Sequence, residues 1–407
     1  MSLAIVGRQP VLDKSRQIIG YELYYRESAD SSRAKYDSEL KASAMVLVSL
    51  LSDFGSKWLL EGKLVFLIVS PEMLMDQDFL SLLPAGRVVL EIRGRINVTP
   101  ELLACFDNLR QRQIGICVRL DDLSGNEMAL LERSNFVDFD LKYTDSESLV
   151  ANFSRVEKSP VQIIARKIED GYTFKFCLEL GFDFFQGYYF NRPENLKEKS
   201  ISPSQESLIL LLNMLKSDED LAKIEAVFKK DPALVVKLLG YVNCAAFGAG
   251  SKIKSIAGAV TMIGYSQLYR WVALLIYTCK DNSAPPAMVR SILTRSRFME
   301  LLGVAREPGM KHDTLFIAGM LSMLDVMFGT SLDNILAKLQ VSTAIVSALL
   351  HKEGTIGAFL ELAESCETID LLKIDELAEK LGIRPMDVNR AHIEAIGWAE
   401  ALELPGI

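Results

Sequence analysis

Carboxylates, amides and cations recur in the first half of this sequence at one kind of place, the ends of short apolar runs. Glu22 and Arg26 lie in IIGYELYYR (18–26), Ser70 closes LVFLIVS (64–70), Glu91 sits in VVLEIR (88–93), and Asp121 with Asp122 closes ICVRLDD (116–122). Lys142 follows in VDFDLKY (137–143), Arg166 in VQIIARK (161–167) and Gln186 in DFFQGYYF (183–190). Four carboxylates gathered at one mouth repel each other unless a cation sits among them. Hard oxygen ligands of that kind suit Mg²⁺ or Mn²⁺ and a bridging water made nucleophilic. A plainer alternative fits the pattern equally well: strand ends are polar in any fold, and these residues then serve as caps and surface ion pairs.

The runs that carry these residues are nearly continuous in apolar side chains, as in parallel strands covered on both faces. Helical stretches separate them at 37–54, 100–113, 146–156 and 170–181, with Gly115 and Gly181 marking two returns to strand in the manner of helix C-caps. Seven such runs, with one more near 3–12, predict a (β/α)8 barrel over residues 1–195. In a barrel the functional groups gather where strands end at the C-terminal mouth. Residues 191–204, NRPENLKEKSISPS, are polar and carry two prolines, and the linker is placed at 196–204. From 205 to 407 apolar residues recur at three- and four-residue spacing and strand signals fade, which predicts a bundle of helices. The fold class is therefore α/β followed by all-α.

Composition narrows the function classes. A chain of 407 residues, 49% hydrophobic and 24% charged, buries more than one core. The formal net charge of −8 and the lack of a Lys/Arg run argue against broad nucleic-acid binding. Six scattered cysteines with no Cys-x-x-Cys pair read as reduced core thiols, and Cys105 and Cys117 as core fillers. Three histidines, His312, His351 and His392, share no metal-ligand spacing. The opening MSLAIVGRQP is broken by Gly7, Arg8 and Pro10 and does not read as a signal peptide. Apolar runs such as 271–277 are far shorter than the roughly 18 residues a bilayer span needs, so a soluble, cytoplasmic protein is expected.

Five motifs in order give the first half a resemblance to the EAL-type cyclic-di-GMP phosphodiesterase domain. They are Glu22-Leu23-Tyr24-Tyr25-Arg26, the Glu91 run, Asp121-Asp122-Leu123-Ser124-Gly125-Asn126, the DLKYT that places Lys142, and the FFQGYYFNRP that places Gln186. The resemblance implies metal binding by Glu22, a phosphate contact by Arg26, and catalytic roles for Glu91, Asp121, Asp122, Lys142 and Gln186. The departures are specific. An asparagine ligand is replaced by Ile68, a second glutamate by Gly94, an aspartate after the lysine by Thr144, and a metal-site glutamate by Arg166. Isoleucine offers no lone pair, and arginine is a permanent cation. Two unit charges about 4 Å apart interact by about 4 kcal/mol at an effective dielectric of about 20, and a divalent ion feels roughly twice that from Arg166. Arg166 is therefore expected to replace the metal as the counter-charge of Glu22, Glu91 or Asp121.

The second half resembles the HDOD domain, through DPALVVKLLGYVNCAAFG (231–248), KSIAGAVTMIGYSQLYRWV (254–272) and FIAGMLSMLDVMFG (316–329). Where a related hydrolase would carry His-Asp, this chain has Ser322-Met323. His312-Asp313 is literally that dipeptide, but it opens a helix, and Asp313 suits a cap. The stretch 374–399 has a helix-turn-helix look with Gly382 in the turn; a hairpin that closes the bundle explains it as well. The glycines at 240 and 248–250 lack the strand and the Lys-Ser/Thr of a phosphate loop.

The combined expectation is a chain that is not an enzyme and has lost Mg²⁺ or Mn²⁺ as a cofactor. It acts as a regulator or adaptor through an unidentified signalling protein, in or near cyclic-di-GMP signalling or motility control. Two alternatives stay open, a residual cyclic-di-GMP phosphodiesterase and a sensor that binds the dinucleotide without cutting it. A homodimer is compatible with the resemblance, since EAL-type barrels often pair.

Overall fold

The structure, a computed structural model, describes residues 5–26, 62–81, 83–93, 96–119, 123–124, 127–190, 203–243, 253–278, 284–306, 312–328, 330–368 and 370–402. Eight strands close into a barrel: β1 Ile5–Asp13, β2 Ile18–Arg26, β3 Leu64–Val69, β4 Val88–Ile92, β5 Gly115–Arg119, β6 Phe136–Asp140, β7 Gln162–Arg166 and β8 Phe184–Phe185. The helices used below are α1 Pro100–Gln111, α2 Ser146–Val156, α3 Gly171–Leu180, α4 Pro203–Lys216, α5 Ile256–Tyr277, α6 His312–Leu321, α7 Thr343–His351, α8 Leu371–Lys380 and α9 Pro385–Ala401.

The barrel departs from eight parallel strands in one respect: β1 runs antiparallel to both of its neighbours, β2 and β8. The cause is local. Asp13 Oδ1 accepts hydrogen bonds from the Ser15 and Gln17 amides, and Arg16 turns through a φ of 60°, so the chain reverses in a hairpin instead of crossing over by a helix. The remaining strand pairs are parallel. Caps fix where the intervening helices begin. Thr99, Asp145 and Asp170 each accept a backbone N–H in the first turn of α1, α2 and α3. Gly181 ends α3 with a φ of 114°, as its sequence position implies. Gly115, by contrast, is the first residue of β5, not a cap; a Cβ there would meet Val89 Cγ2 at 2.8 Å.

Alternation along each strand sorts the barrel interior into layers. Val11, Phe66, Val89, Cys117, Phe136 and Ile164 form an apolar plug. Phe66 and Phe136 meet edge to face within it at 5.4 Å between ring centroids. Two residues beyond Val89, Cys117, Phe136 and Ile164, at the C-terminal mouth, the positions become polar with Glu91, Arg119, Asp138 and Arg166.

The chain divides into two compact units. One gathers Met1–Glu194 with Pro285–Thr294 and Glu361–Leu402, and the other holds Asn195–Ala284, Arg295–Leu360 and Glu403–Ile407. Residues 361–402, expected within the helical half, thus group with the barrel. Ile393 and Ile396 of α9 belong to the hydrophobic core that surrounds the strands, and Tyr21 of β2 donates its hydroxyl to Glu400. The described secondary structure of the second unit is all helical. None of the described helices is long and apolar enough to cross a membrane.

Candidate functional site

Five side chains converge at the C-terminal mouth of the barrel. Glu22 comes from β2, Glu91 from β4, Asp138 from β6, Arg166 from β7, and Gln186 from the residue after β8. All five are buried, the three carboxylates completely. Arg166 lies at the centre. Its Nη1 donates to Glu22 and to Gln186 Oε1, its Nη2 donates to Glu91 Oε2 at 2.5 Å, and its Nε lies 2.7 Å from Asp138 Oδ2. Gln186 Nε2 donates to Glu22 in turn. Below, the guanidinium faces the Phe66 ring at 5.9 Å, so the apolar plug closes the site from beneath.

Two further arginines complete the site. Arg93 Nη2 pairs with Glu91 and lies 3.4 Å from Asp138 and 3.8 Å from Glu22. Arg119 places Nε 3.0 Å from Asp138 and Nη1 3.4 Å from Asp140. Both keep 20% of their side chains exposed, so they form the rim while Arg166 forms the floor. Arg93 Nη1 is buried with no hydrogen-bond partner among the described residues. Cys117, beneath the carboxylates, has its thiol pushed well above the usual range, first by burial and then by Asp138, so it is no nucleophile.

Gln186 is held by its backbone. Its N–H donates to Ala165 O at 2.8 Å and its carbonyl accepts from Ile168 N at 3.0 Å. Gly187 follows because nothing larger fits: a Cβ there would lie 2.0 Å from Ile168 O.

The residues expected from the sequence fare unequally. Glu22, Glu91, Arg166 and Gln186 come together, and Arg166 pairs with Glu22 and Glu91 as its charge required. Lys142 does not join them. Strand β6 ends at Asp140, so Lys142 falls in a single 3-10 turn, Leu141–Tyr143, where it is exposed and its amide donates to Asp140 Oδ1. The inward position on that strand belongs to Asp138. Thr144 turns back, its hydroxyl donating to Asp140 O. Ile68 is paired in register with Glu91 on the neighbouring strand. Arg26 pairs through its backbone with Ile5 at the end of β2. Asp121, Asp122 and Gly94 lie outside the described residues. Sequence reasoning missed Asp138, Arg93 and Arg119; the alternation in Val137-Asp138-Phe139-Asp140 was the signal for the first.

In the helical unit, Ser322 and Met323 are both buried. Arg295 Nη1 donates to Ser322 Oγ at 2.7 Å, and that hydroxyl donates to Gly319 O. Asp313, in the first turn of α6, is held by Arg270 and by the Ser266 hydroxyl. In the first unit, Asn389 and His392 of α9 are buried, so neither is presented to a DNA groove, and Arg384 pairs with Asp387.

Residues 203–332 match the HDOD domain family. Over 406 residues, 98% of this chain and 93% of its relative, the sequence is 26% identical to the cyclic di-GMP phosphodiesterase CdgJ of Vibrio cholerae. The chain thus pairs an eight-stranded barrel with a helical segment that matches the HDOD family. It is also 25% identical to YuxH of Bacillus subtilis, covering 98% of both proteins. Among solved structures, the EAL-domain protein YkuI of Bacillus subtilis, in complex with c-di-GMP and calcium, matches 57% of this chain and 73% of its own at 16% identity and a TM-score of 0.38.

Two expectations are corrected by these relatives. Ile68 and Arg166 suggested a chain that is not an enzyme, yet the relative matched along nearly its whole length is a phosphodiesterase by name. The same finding overturns the expectation that Mg²⁺ or Mn²⁺ binding is lost. The physical reason is that two positions are a small part of the acidic set: Glu22, Glu91 and Asp138 remain, buried and convergent. The arrangement described is nonetheless the one filled by a guanidinium. Arg166 contacts all three of those carboxylates.

Proposed function

We propose that this protein works in cyclic-di-GMP signalling and that its EAL-type half is a phosphodiesterase-type barrel meeting the dinucleotide at its C-terminal mouth. The observation that supports this most is the end-to-end similarity to the Vibrio phosphodiesterase, which includes both halves of the chain. The mouth supplies suitable chemistry. Glu22, Glu91 and Asp138 are the oxygen donors such a reaction uses, and Arg93 and Arg119 are partly exposed cations on the rim. Arg93 Nη1, without a partner among the described residues, is a donor that a phosphate oxygen would satisfy. In this reading the HDOD half transmits the dinucleotide state to a protein partner.

The test combines two measurements on the purified full chain. Product formation from c-di-GMP is followed with Mg²⁺ or Mn²⁺, and binding is followed by calorimetry. Turnover or saturable binding that is lost in Arg93→Ala supports the reading. A protein that neither cuts nor binds the dinucleotide sinks it.

A further inference from the structure

A cavity of about 380 Å³ lies within the helical unit, among α4, α5, α6 and α7. It is separate from the Ser322–Arg295 contact and from everything at the barrel mouth. Its wall is built from helix beginnings. Helix α5 is not continuous, because Gly264 adopts φ 74° and ψ 166°, so a second helix starts at Tyr265 and Ser266. Asp313 and Thr314 belong to the first turn of α6, and Ser342 is the N-cap residue of α7. All of these line the cavity. Each helix start leaves backbone N–H groups without intrahelical partners and carries a partial positive charge.

Helix ends alone do not make a site; the donors beside them point to a ligand. The Tyr269 side chain is only 5% exposed and lines the cavity, yet its hydroxyl has no partner among the described residues. Burial pushes that phenol up to about 12, so it remains an O–H donor at neutral pH. The Thr314 and Ser342 hydroxyls and the Lys216 ammonium on the same wall are likewise uncommitted among the described residues. Two acids face the space: Asp313 is engaged by Arg270 and Ser266, and Asp218 follows Lys216 on the same wall, so Lys216 and the helix N-termini must outweigh its charge. The rest of the wall is apolar, with Leu215, Ile317 and Ile345 opposite two tyrosine rings one helical turn apart.

We propose that this cavity binds a phosphorylated small molecule of mononucleotide size. Its phosphate would meet Lys216, the free hydroxyls and the helix N-termini, while its planar base would rest against the Tyr265 and Tyr269 rings. The volume falls at the lower end of small-molecule sites, which run from roughly 300 to 1,000 Å³. A cyclic dinucleotide, two such units in one ring, is too large. The site therefore stands apart from the barrel reading and survives its failure.

Calorimetry on the full-length protein tests it with three separate probes: GMP, inorganic phosphate and guanosine. GMP is expected to bind at micromolar to millimolar concentration, and phosphate or guanosine alone at least about tenfold more weakly. Tyr269→Phe should weaken GMP about tenfold through loss of one hydroxyl, and Lys216→Glu should weaken it by more. Lys216 is exposed, so its variant decides the matter if Tyr269→Phe disturbs folding. No GMP binding at millimolar concentration overturns the proposal. So does binding that survives Lys216→Glu, which would belong to the barrel, or guanosine binding as tightly as GMP.

Discussion

Arg166 sets the character of the barrel mouth because its charge cannot be removed by a proton shift. Three carboxylates with no solvent exposure share its guanidinium. Taking one partner out of a buried ion network leaves the others uncompensated and typically costs about 3–5 kcal/mol. Arg166→Ala should lower the stability of the barrel by that order in urea unfolding. Mg²⁺ or Mn²⁺ should then raise the melting temperature of the variant more than that of the wild type, since three free carboxylates suit a hard cation. A variant as stable as the parent, or one indifferent to divalent ions, would show that the carboxylates find other partners. Activity provides a second reading of the same residue. Ile68→Asn with Arg166→Glu adds an amide and an acid where the EAL pattern has them, and should raise Mg²⁺-dependent turnover of c-di-GMP by at least about tenfold, or about 1.4 kcal/mol of barrier. Glu22→Ala should abolish whatever turnover the wild type has.

Elements carried most of what the sequence could reveal. Seven apolar runs with polar ends were enough to expect a barrel, because burial on both faces leaves few other side chains on a strand. Glu22, Glu91, Arg166 and Gln186 were legible for the same reason. Asp138 was not picked out, because the nearby Lys142 offered a motif match that competed with the alternation around Asp138, and the end of β6 at Asp140 decides between them. Reversal of β1 was hidden in a hairpin only a few residues long, and the contributions of Arg93 and Arg119 required three dimensions. The placement of α9 is the clearest case of information absent from local pattern. Its amphipathic face signals that it packs, but not on what. In the fold Ile396 is 1% exposed within the core around the strands, and the Tyr21 hydroxyl serves Glu400. Ile396→Ala should therefore cost about 2–4 kcal/mol, read in the unfolding of the barrel unit. Gly187→Ala should cost about 2 kcal/mol or more by forcing apart Gly187 and Ile168, and Gln186 should shift with it. If either change were neutral, α9 or the Gln186 turn would not be held as described.

At the scale of the molecule, both compact units hold acidic protons out of reach of water. In the first unit burial pushes the Cys177 thiol up to about 12 and raises Cys117, Cys366 and the Tyr21 phenol as well. In the second, Tyr269 rises to about 12 and Tyr277 is raised further. An unfolded chain would release these protons near the ordinary thiol and phenol values of about 8.5 and 10. Between those values and the folded ones, the native state binds more protons than the unfolded state, so stability falls as pH rises. The stabilisation is fully present below about pH 8 and is lost progressively above it, each group contributing at most about 1.4 kcal/mol per pH unit. A net charge of −8 gives a rival cause, since self-repulsion also grows in alkali. Salt separates the two, because the Debye length shrinks from about 10 Å at 0.1 M to about 3 Å at 1 M and screens surface charge, while buried thiols and phenols are indifferent to it. Urea midpoints that fall between about pH 8 and 10 for both units, and fall equally in high salt, are the expected result. A fall that high salt abolishes would assign the effect to surface repulsion, and a fall in one unit alone would mean that the other does not keep its phenols and thiols protonated.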